Sequence, residues 1–249
     1  MLDGVELTMN REQLEALEDE VNSELESSST SIAEPITDGV VDFDLYLASA
    51  PKILWILKEP VDEIENGVPS GGGWSLTQHV LAAGKFGDKR PFAPIAYIAY
   101  SVFNGFKKWA EIKNVSVDPQ VKEAVKRIAY ININKMPALA TSGGTDLGSI
   151  YRKNRHLLRK QIDGMQPDVI IAGNILHLFY EDFGFNRQDL TETGLSEFCQ
   201  RNGRLYINAY HPSYWVCDEE TYVNNLVDII KTHSAALPPV ESPIENRQA

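Results

Sequence analysis

The spacing of apolar residues along the chain predicts strands that alternate with helices. Four short runs are apolar almost throughout, which is typical of strands buried on both faces of a sheet. Five longer segments carry apolar residues at helical spacing or begin with helix-start signals. Strands are predicted at residues 53–57, 130–134, 168–172 and 205–209, and helices at 75–86, 94–112, 119–128, 149–165 and 222–233.

This alternation predicts an α/β fold with three layers. Helices are expected on both faces of a four-stranded parallel sheet. In such sheets ligands bind at the carboxyl ends of the strands. The residues that follow each predicted strand are therefore the first candidates for a functional site.

The two ends of the chain differ in composition from the part between them. Residues 10–25 have a helical apolar pattern, but the serine and threonine run at 27–31 is typical of a flexible linker. Residues 237–243 contain prolines that cannot continue a helix. We predict an acidic N-terminal helix and flexible linker at 1–40, one folded α/β domain at 41–236 and a disordered tail at 237–249, with the helix as an appendage.

The acidic charge is concentrated at the N-terminus. Residues 1–40 hold eleven acidic residues and one arginine, and so carry −10 of the formal net charge of −12. The nearly neutral remainder, with basic clusters at 107–108, 152–155 and 159–160, could present a positive groove to nucleic acid. Each cluster could equally be a solvated helix face. As a hypothesis, the acidic arm covers such a groove; the alternative is a solubilising tail.

The composition also limits the compartment and the partners. The cysteines, Cys199 and Cys217, are too few for a disulfide framework and lack metal-site spacing, so we expect reduced thiols. No run of about 18 apolar residues is present, and the N-terminus lacks a signal-peptide pattern. We expect a cytoplasmic monomer with no membrane partner.

Candidate binding residues follow the first predicted strand. A glycine triplet at residues 71–73 precedes Trp74. Glycine lets backbone N–H groups approach a phosphate closely, and a tryptophan offers a surface on which a base can stack. The alternative is a flexible loop with a core tryptophan.

Polar and aromatic residues also end the second and fourth strands. Asn132 and Asn134 share one strand face, where an amide can offer a donor and an acceptor to a base edge. Asparagines at strand ends can instead serve only to satisfy turns. The fourth strand is followed by residues 211–215, HPSYW, in which Pro212 fixes the turn after His211.

These motifs, in this order, resemble those of the uracil-DNA glycosylase superfamily over roughly residues 50–235. Residues 57–60 are similar to its G-x-[DEN/A]-P motif, and residues 211–213 to its H-P-S motif. Residues 132–135 and 167–173 are similar to the N-V-V-K and P-x-[VI]-[IV]-x-x-G segments of its iron–sulfur branch. The chain departs from the superfamily at Leu57, where a glycine is usual, and lacks the iron–sulfur cysteines.

The resemblance implies a DNA glycosylase that hydrolyses the N-glycosidic bond of uracil or another deaminated base, after the base is flipped from DNA into a pocket. Glu59 would orient or activate water near C1′, and His211 would donate to the departing base. No metal or organic cofactor is implied. Base contacts would come from Trp74, Asn132 and Asn134, and DNA contacts from Gly72, Gly73, Lys135, Ser213 and Trp215.

Two other functions stay open. The first is a catalytically inactive protein of the same fold that binds nucleic acid or a nucleobase, an alternative supported by Leu57 and by Glu59, which is one methylene longer than Asp. The second is a small-molecule hydrolase or transferase on an ordinary doubly wound sheet. For the glycosylase, we expect Glu59, Asn132 and His211 to face one cleft.

Overall fold

The four apolar runs form four adjacent parallel strands at the centre of one sheet. The computed structural model describes residues 9–88, 90–138, 146–214 and 216–234, so Trp215 and the predicted tail lie outside it. The strands are β1 (Gly39–Val40), β2 (Ile53–Leu57), β3 (Ile64–Glu65), β4 (Val68–Pro69), β5 (Ile128–Asn132), β6 (Val169–Gly173), β7 (Thr191–Glu192), β8 (Ser196–Arg201) and β9 (Arg204–Ala209).

The α/β class is confirmed, but the sheet is larger than the predicted four parallel strands. Among the described residues it has seven strands in the order β1-β5-β2-β6-β9-β8-β7, and β3 and β4 form a separate hairpin. β1 is antiparallel to β5, and β8 is antiparallel to both β9 and β7. The sheet is therefore mixed, with antiparallel strands added at both edges of the parallel centre.

Helices pack on both faces of the sheet. Alternate side chains of β2 point to opposite faces. Trp55 packs with the layer that contains the helices at Phe92–Phe103 and Glu219–His233, and Ile56 packs with the helices at Arg11–Glu26, Phe43–Leu47 and Leu147–Met165. In the described part of the chain, no helix is both long enough and apolar enough to span a membrane. The α-helices are α1 (Arg11–Glu26), α2 (Phe43–Leu47), α3 (Phe92–Phe103), α4 (Pro119–Glu123), α5 (Leu147–Met165), α6 (Tyr180–Phe183) and α7 (Glu219–His233).

Three of the predicted helices differ from the structure in form or length. The helix predicted at 119–128 is an α-helix only at Pro119–Glu123 and continues as a 3-10 helix at Ala124–Arg127. The segment 75–86 contains a π-helix at Thr77–Ala82. The helix predicted at 94–112 ends at Phe103, because Gly105 and Phe106 have φ values of 81° and 59°, which an α-helix cannot contain. The apolar pattern does not show where such a helix ends, because the end depends on the φ angles of single residues.

The N-terminal helix is part of the folded body, so its prediction as an appendage is wrong. Leu14 and Val21 are fully buried, and α1 packs along α5. Gly164 of α5 makes room for this packing, because a Cβ there would lie 2.7 Å from Leu17 Cδ1. Glu20 pairs with Lys160 at 2.5 Å, so α1 occupies part of one predicted basic cluster.

The segment after α1 is also held in place and is not a flexible linker. Its backbone runs parallel to the glycine loop, with bridges from Ala33 to Gly71 and from Thr37 to Ser75. It then continues into β1. Deleting residues 1–40 would remove β1 and several core side chains, so such a deletion does not test whether the acidic arm covers a DNA groove.

A buried carboxyl group connects α1 to β1. Glu18 is 8% exposed, and its Oε1 accepts a hydrogen bond of 2.7 Å from the backbone N–H of Val40. Burial raises the pKa of Glu18 to about 8, and neighbouring Asp38 adds to the rise while Lys135 opposes it. Glu18 is therefore protonated in the folded protein at neutral pH.

The raised pKa of Glu18 makes stability depend on pH. The folded state binds a proton that the unfolded chain releases near its ordinary pKa, so stability should fall between about pH 5 and pH 8. Glu18→Gln keeps the acceptor but removes the titration, so at about pH 9 it should be more stable than wild type by roughly 2–5 kcal/mol. Urea unfolding at several pH values measures this. Parallel stability curves for the two proteins would contradict it.

Candidate functional site

The order of the parallel strands places a crevice between β2 and β6. The chain leaves β2 toward β5 on one side, and after β5 it crosses to β6 on the other side. Loops therefore diverge at the carboxyl ends of β2 and β6, which is where ligands bind in doubly wound sheets. Lys58 and Glu59 follow β2 at this point, and both are partly buried.

Gly173, the last residue of β6, brings His211 against the end of β2. A Cβ at Gly173 would lie 2.5 Å from Leu57 Cδ2 and 3.2 Å from His211 Cδ2. Leu57, the residue that departs from the superfamily motif, thus packs over a glycine on the neighbouring strand. His211 is thereby placed at the β2–β6 crevice although it follows β9.

The His211 side chain is held as a neutral imidazole. Its Nδ1 accepts a hydrogen bond of 3.2 Å from the backbone N–H of Ser213, so its proton is on Nε2. Burial, with a smaller contribution from the Lys58 ammonium, lowers the pKa of His211 to about 4. His211 is therefore a neutral hydrogen-bond donor at physiological pH. The same two causes lower the pKa of His177.

Three hydrogen bonds fix the loop that carries His211. The Tyr214 N–H donates to the His211 carbonyl at 2.7 Å. Arg90 Nη1 donates to the Tyr214 carbonyl at 2.6 Å, and the Tyr222 hydroxyl donates to the Tyr210 carbonyl at 2.8 Å. Ser213 is exposed on this loop, where a phosphate could reach it. Trp215 lies outside the described residues.

Asn132 ends β5 with a fully buried side chain. Its Oδ1 accepts a hydrogen bond of 3.5 Å from the Tyr130 hydroxyl, whereas its buried Nδ2 has no hydrogen-bond partner among the described residues. Buried polar groups are almost always paired, so this Nδ2 is a donor that the described residues leave unsatisfied. The backbone N–H of Asn132 donates to Asp38 Oδ2 at 2.8 Å.

Lys135 does not reach the surface, which corrects its predicted contact with DNA. It is 2% exposed, and its Nζ donates to Asp38 Oδ1 at 2.5 Å and to Gln161 Oε1 at 3.0 Å. Burial lowers its pKa, while Asp38 opposes that shift. Lys135 belongs to a buried network that also holds Asn132, through Asp38.

Asn134 serves the turn that follows β5. Its Oδ1 accepts a hydrogen bond of 3.1 Å from the backbone N–H of Met136. Its own N–H donates to the Lys58 carbonyl at 2.8 Å and extends the parallel ladder past β5. These hydrogen bonds favour the alternative that the Asn134 side chain satisfies a turn over the prediction that it contacts a base.

The glycine loop is bound within the protein, which corrects the predicted DNA contacts of Gly72 and Gly73. The Gly72 N–H donates to Asp62 Oδ2 at 2.7 Å, and the Gly73 N–H donates to the Pro35 carbonyl at 3.1 Å. A Cβ at Gly72 would lie 1.9 Å from the Glu34 carbonyl oxygen. These glycines allow the N-terminal segment to approach closely, and their amides are not available to a phosphate.

Trp74 is partly buried, with its indole fixed by an aspartate that sequence reasoning missed. Trp74 Nε1 donates to Asp62 Oδ2 at 2.8 Å, the same oxygen that accepts from Gly72. Asp62 lies shortly after the 57–60 motif, and this proximity could have identified it as a candidate residue from the sequence. Trp74 also packs beside the core layer that contains α3.

Two comparisons with known proteins identify no family for the chain. A scan against protein-family models finds none that fits, and a search of curated proteins finds no similar sequence. Within the described ranges, no group of three or more His, Cys, Asp or Glu side chains is placed to hold a metal ion. The chemistry of the site must therefore be inferred from its own residues.

Proposed function

We propose that the chain is a DNA glycosylase that hydrolyses the N-glycosidic bond of uracil or another deaminated base in DNA. The observation that carries this proposal is the buried, unpaired Nδ2 of Asn132 at the carboxyl end of β5. Deamination replaces an amino group of a base with a carbonyl oxygen. An amide N–H donor pairs with that oxygen and rejects the amino group it replaces.

The state of His211 fits the departure of the base. Cleavage of the bond develops negative charge on the base and positive charge on the sugar. A neutral imidazole that donates from Nε2 can stabilise the leaving base without itself titrating near pH 7. Glu59, which follows β2 at the crevice, would orient or activate water near C1′. The catalytically inactive binding protein is the alternative that the same experiment tests.

The proposal predicts that Asn132 sets the choice of base. Asn132→Ala should reduce the preference for uracil over cytosine by about 10- to 100-fold, because the edge-reading amide is lost. Glu59 and His211 stay in place, so base release itself should continue. The measurement compares single-turnover release from strands that carry one uracil, hypoxanthine, xanthine or cytosine at the same position.

Two results would contradict the proposal. If wild type releases no base from any of these strands but binds them, the site is a binding pocket on this fold. If release occurs and Asn132→Ala leaves the preference unchanged, Asn132 does not read the base. Thermal unfolding of the variant checks that the fold is intact.

A further inference from the structure

A second concave surface lies beside His211 at the carboxyl edge of the sheet. It is a cavity of about 430 Å³ bounded by the ends of β6 and β9 and by the β7–β8 hairpin. Ala209 and Tyr210, which line it, directly precede His211 in the chain. The proposed glycosylase chemistry assigns this cavity no role.

A fixed carboxylate faces the cavity. Asn208 Nδ2 donates to Glu197 Oε2 at 2.9 Å, and Asn208 Oδ1 accepts from the Leu176 N–H at 3.3 Å. The other oxygen, Glu197 Oε1, lies 3.7 Å from Arg187 Nη2, which is beyond hydrogen-bond distance. Glu197 therefore keeps acceptor capacity toward a ligand while Asn208 holds it in position.

The charges in the cavity favour a neutral ligand that donates hydrogen bonds. Glu192 and Glu197 both line it and would repel a phosphate, and the single guanidinium of Arg187 is mostly exposed. Burial and Lys58 lower the pKa of His177, so this histidine adds no charge at neutral pH. The edge of a base that carries an amino group meets these conditions.

Aromatic rings join the cavity to the His211 loop. Tyr180 and Tyr210 line the cavity. The Tyr210 and Tyr214 rings lie 6.0 Å apart at 19°, and Tyr214 is 61% exposed. Such rings can stack successive bases of a strand without sequence preference.

We infer that this cavity binds the base next to the excised one, with the phosphates of the strand outside it, and that Glu197 selects a base with an exocyclic amino group. The inference rests on the proposed function and deepens it by naming the substrate. Cytosine, adenine and guanine carry such a group, whereas thymine presents carbonyl oxygens beside its one ring N–H. In a duplex the pairing edge is occupied by the partner base. A base held inside the cavity cannot stay paired, so the substrate is single-stranded at this position.

Binding to strands that resist cleavage tests the inference. The probes are single-stranded thymine oligonucleotides with one 2′-fluoro-deoxyuridine, in which one neighbour on either side is changed to cytosine, adenine or guanine. Wild type should bind strands with an amino-bearing neighbour on one side about 10-fold more tightly than the all-thymine strand. Glu197→Gln should abolish this preference, because its amide can turn a donor toward the cavity.

A matched control is available away from the cavity. Glu220→Gln makes the same change of charge at an exposed position on α7 that is not among the residues lining the cavity, and it should keep the preference. Glu197→Ala should lose the preference as Glu197→Gln does. Equal affinity for all neighbours, or a preference that survives both Glu197 variants, would overturn the inference.

The failure of this inference can be distinguished from the failure of the proposed function. The neighbour preference is measured by binding and needs no base release. If wild type shows the preference but releases no uracil from an unmodified strand, only the catalytic proposal fails. If it releases uracil yet binds all neighbours equally, only the role of the cavity fails.

Discussion

Replacing His211 by alanine is expected to slow base release by about 100-fold or more, with little change in the binding of lesion-bearing DNA. The imidazole is neutral and donates from Nε2, so its contribution appears when the leaving base becomes negative. His156→Ala is the matched control, because His156 is exposed on α5 and pairs with Glu24 on α1. Single-turnover rates with excess enzyme measure the chemical step.

Glu59→Gln should slow base release to a similar extent, because the amide no longer balances positive charge on the sugar. The His211 pKa of about 4 also predicts no inflection from this residue in the rate of wild type between about pH 6 and pH 9. If both variants release base at the wild-type rate, neither side chain has its proposed role.

The centre of the fold could be predicted because its signals are local. A run such as residues 53–57 is short and apolar at every position, as expected for a strand buried on both faces. The β8–β9 hairpin also had a local signal that was missed. Asn202 and Gly203 have φ values of 51° and 74°, and Asn-Gly between two strands is the strongest short signal for a hairpin. β1 and β7, at two residues each, carry no such pattern.

The position of a candidate residue could be predicted where it depends only on the end of a strand. It could not be predicted where it depends on a contact with a residue far away in the sequence. Pro212 and the end of β9 place His211. Lys135, in contrast, is of a residue type that often contacts phosphate, but its partner Asp38 lies 97 residues earlier in the chain. The same holds for Gly72, whose neighbour Glu34 comes from the segment that looked like a linker. Local sequence does not show such pairings.

Asp38→Ala is expected to destabilise the protein by about 3–5 kcal/mol, because it leaves the Lys135 ammonium buried without its anion. Both side chains of the pair are almost fully buried, at 2% exposure for Lys135 and 1% for Asp38. Urea unfolding of the variant measures the loss. A change below about 1 kcal/mol, the scale of an exposed ion pair, would show that the pair contributes little.

Asp38 also holds the backbone of Asn132, and two double variants can separate this role from stability. Asp38→Asn with Lys135→Met and Asp38→Ala with Lys135→Met both remove the buried charges, so both should recover much of the lost stability. Only the first keeps a side-chain oxygen that can accept from the Asn132 N–H. If that hydrogen bond positions the base-reading amide, the first should discriminate between bases as wild type does, and the second as poorly as Asn132→Ala. If the two double variants are equally stable and discriminate between bases equally well, the side-chain acceptor at position 38 does not affect base reading. Asp38 would then have only a structural role.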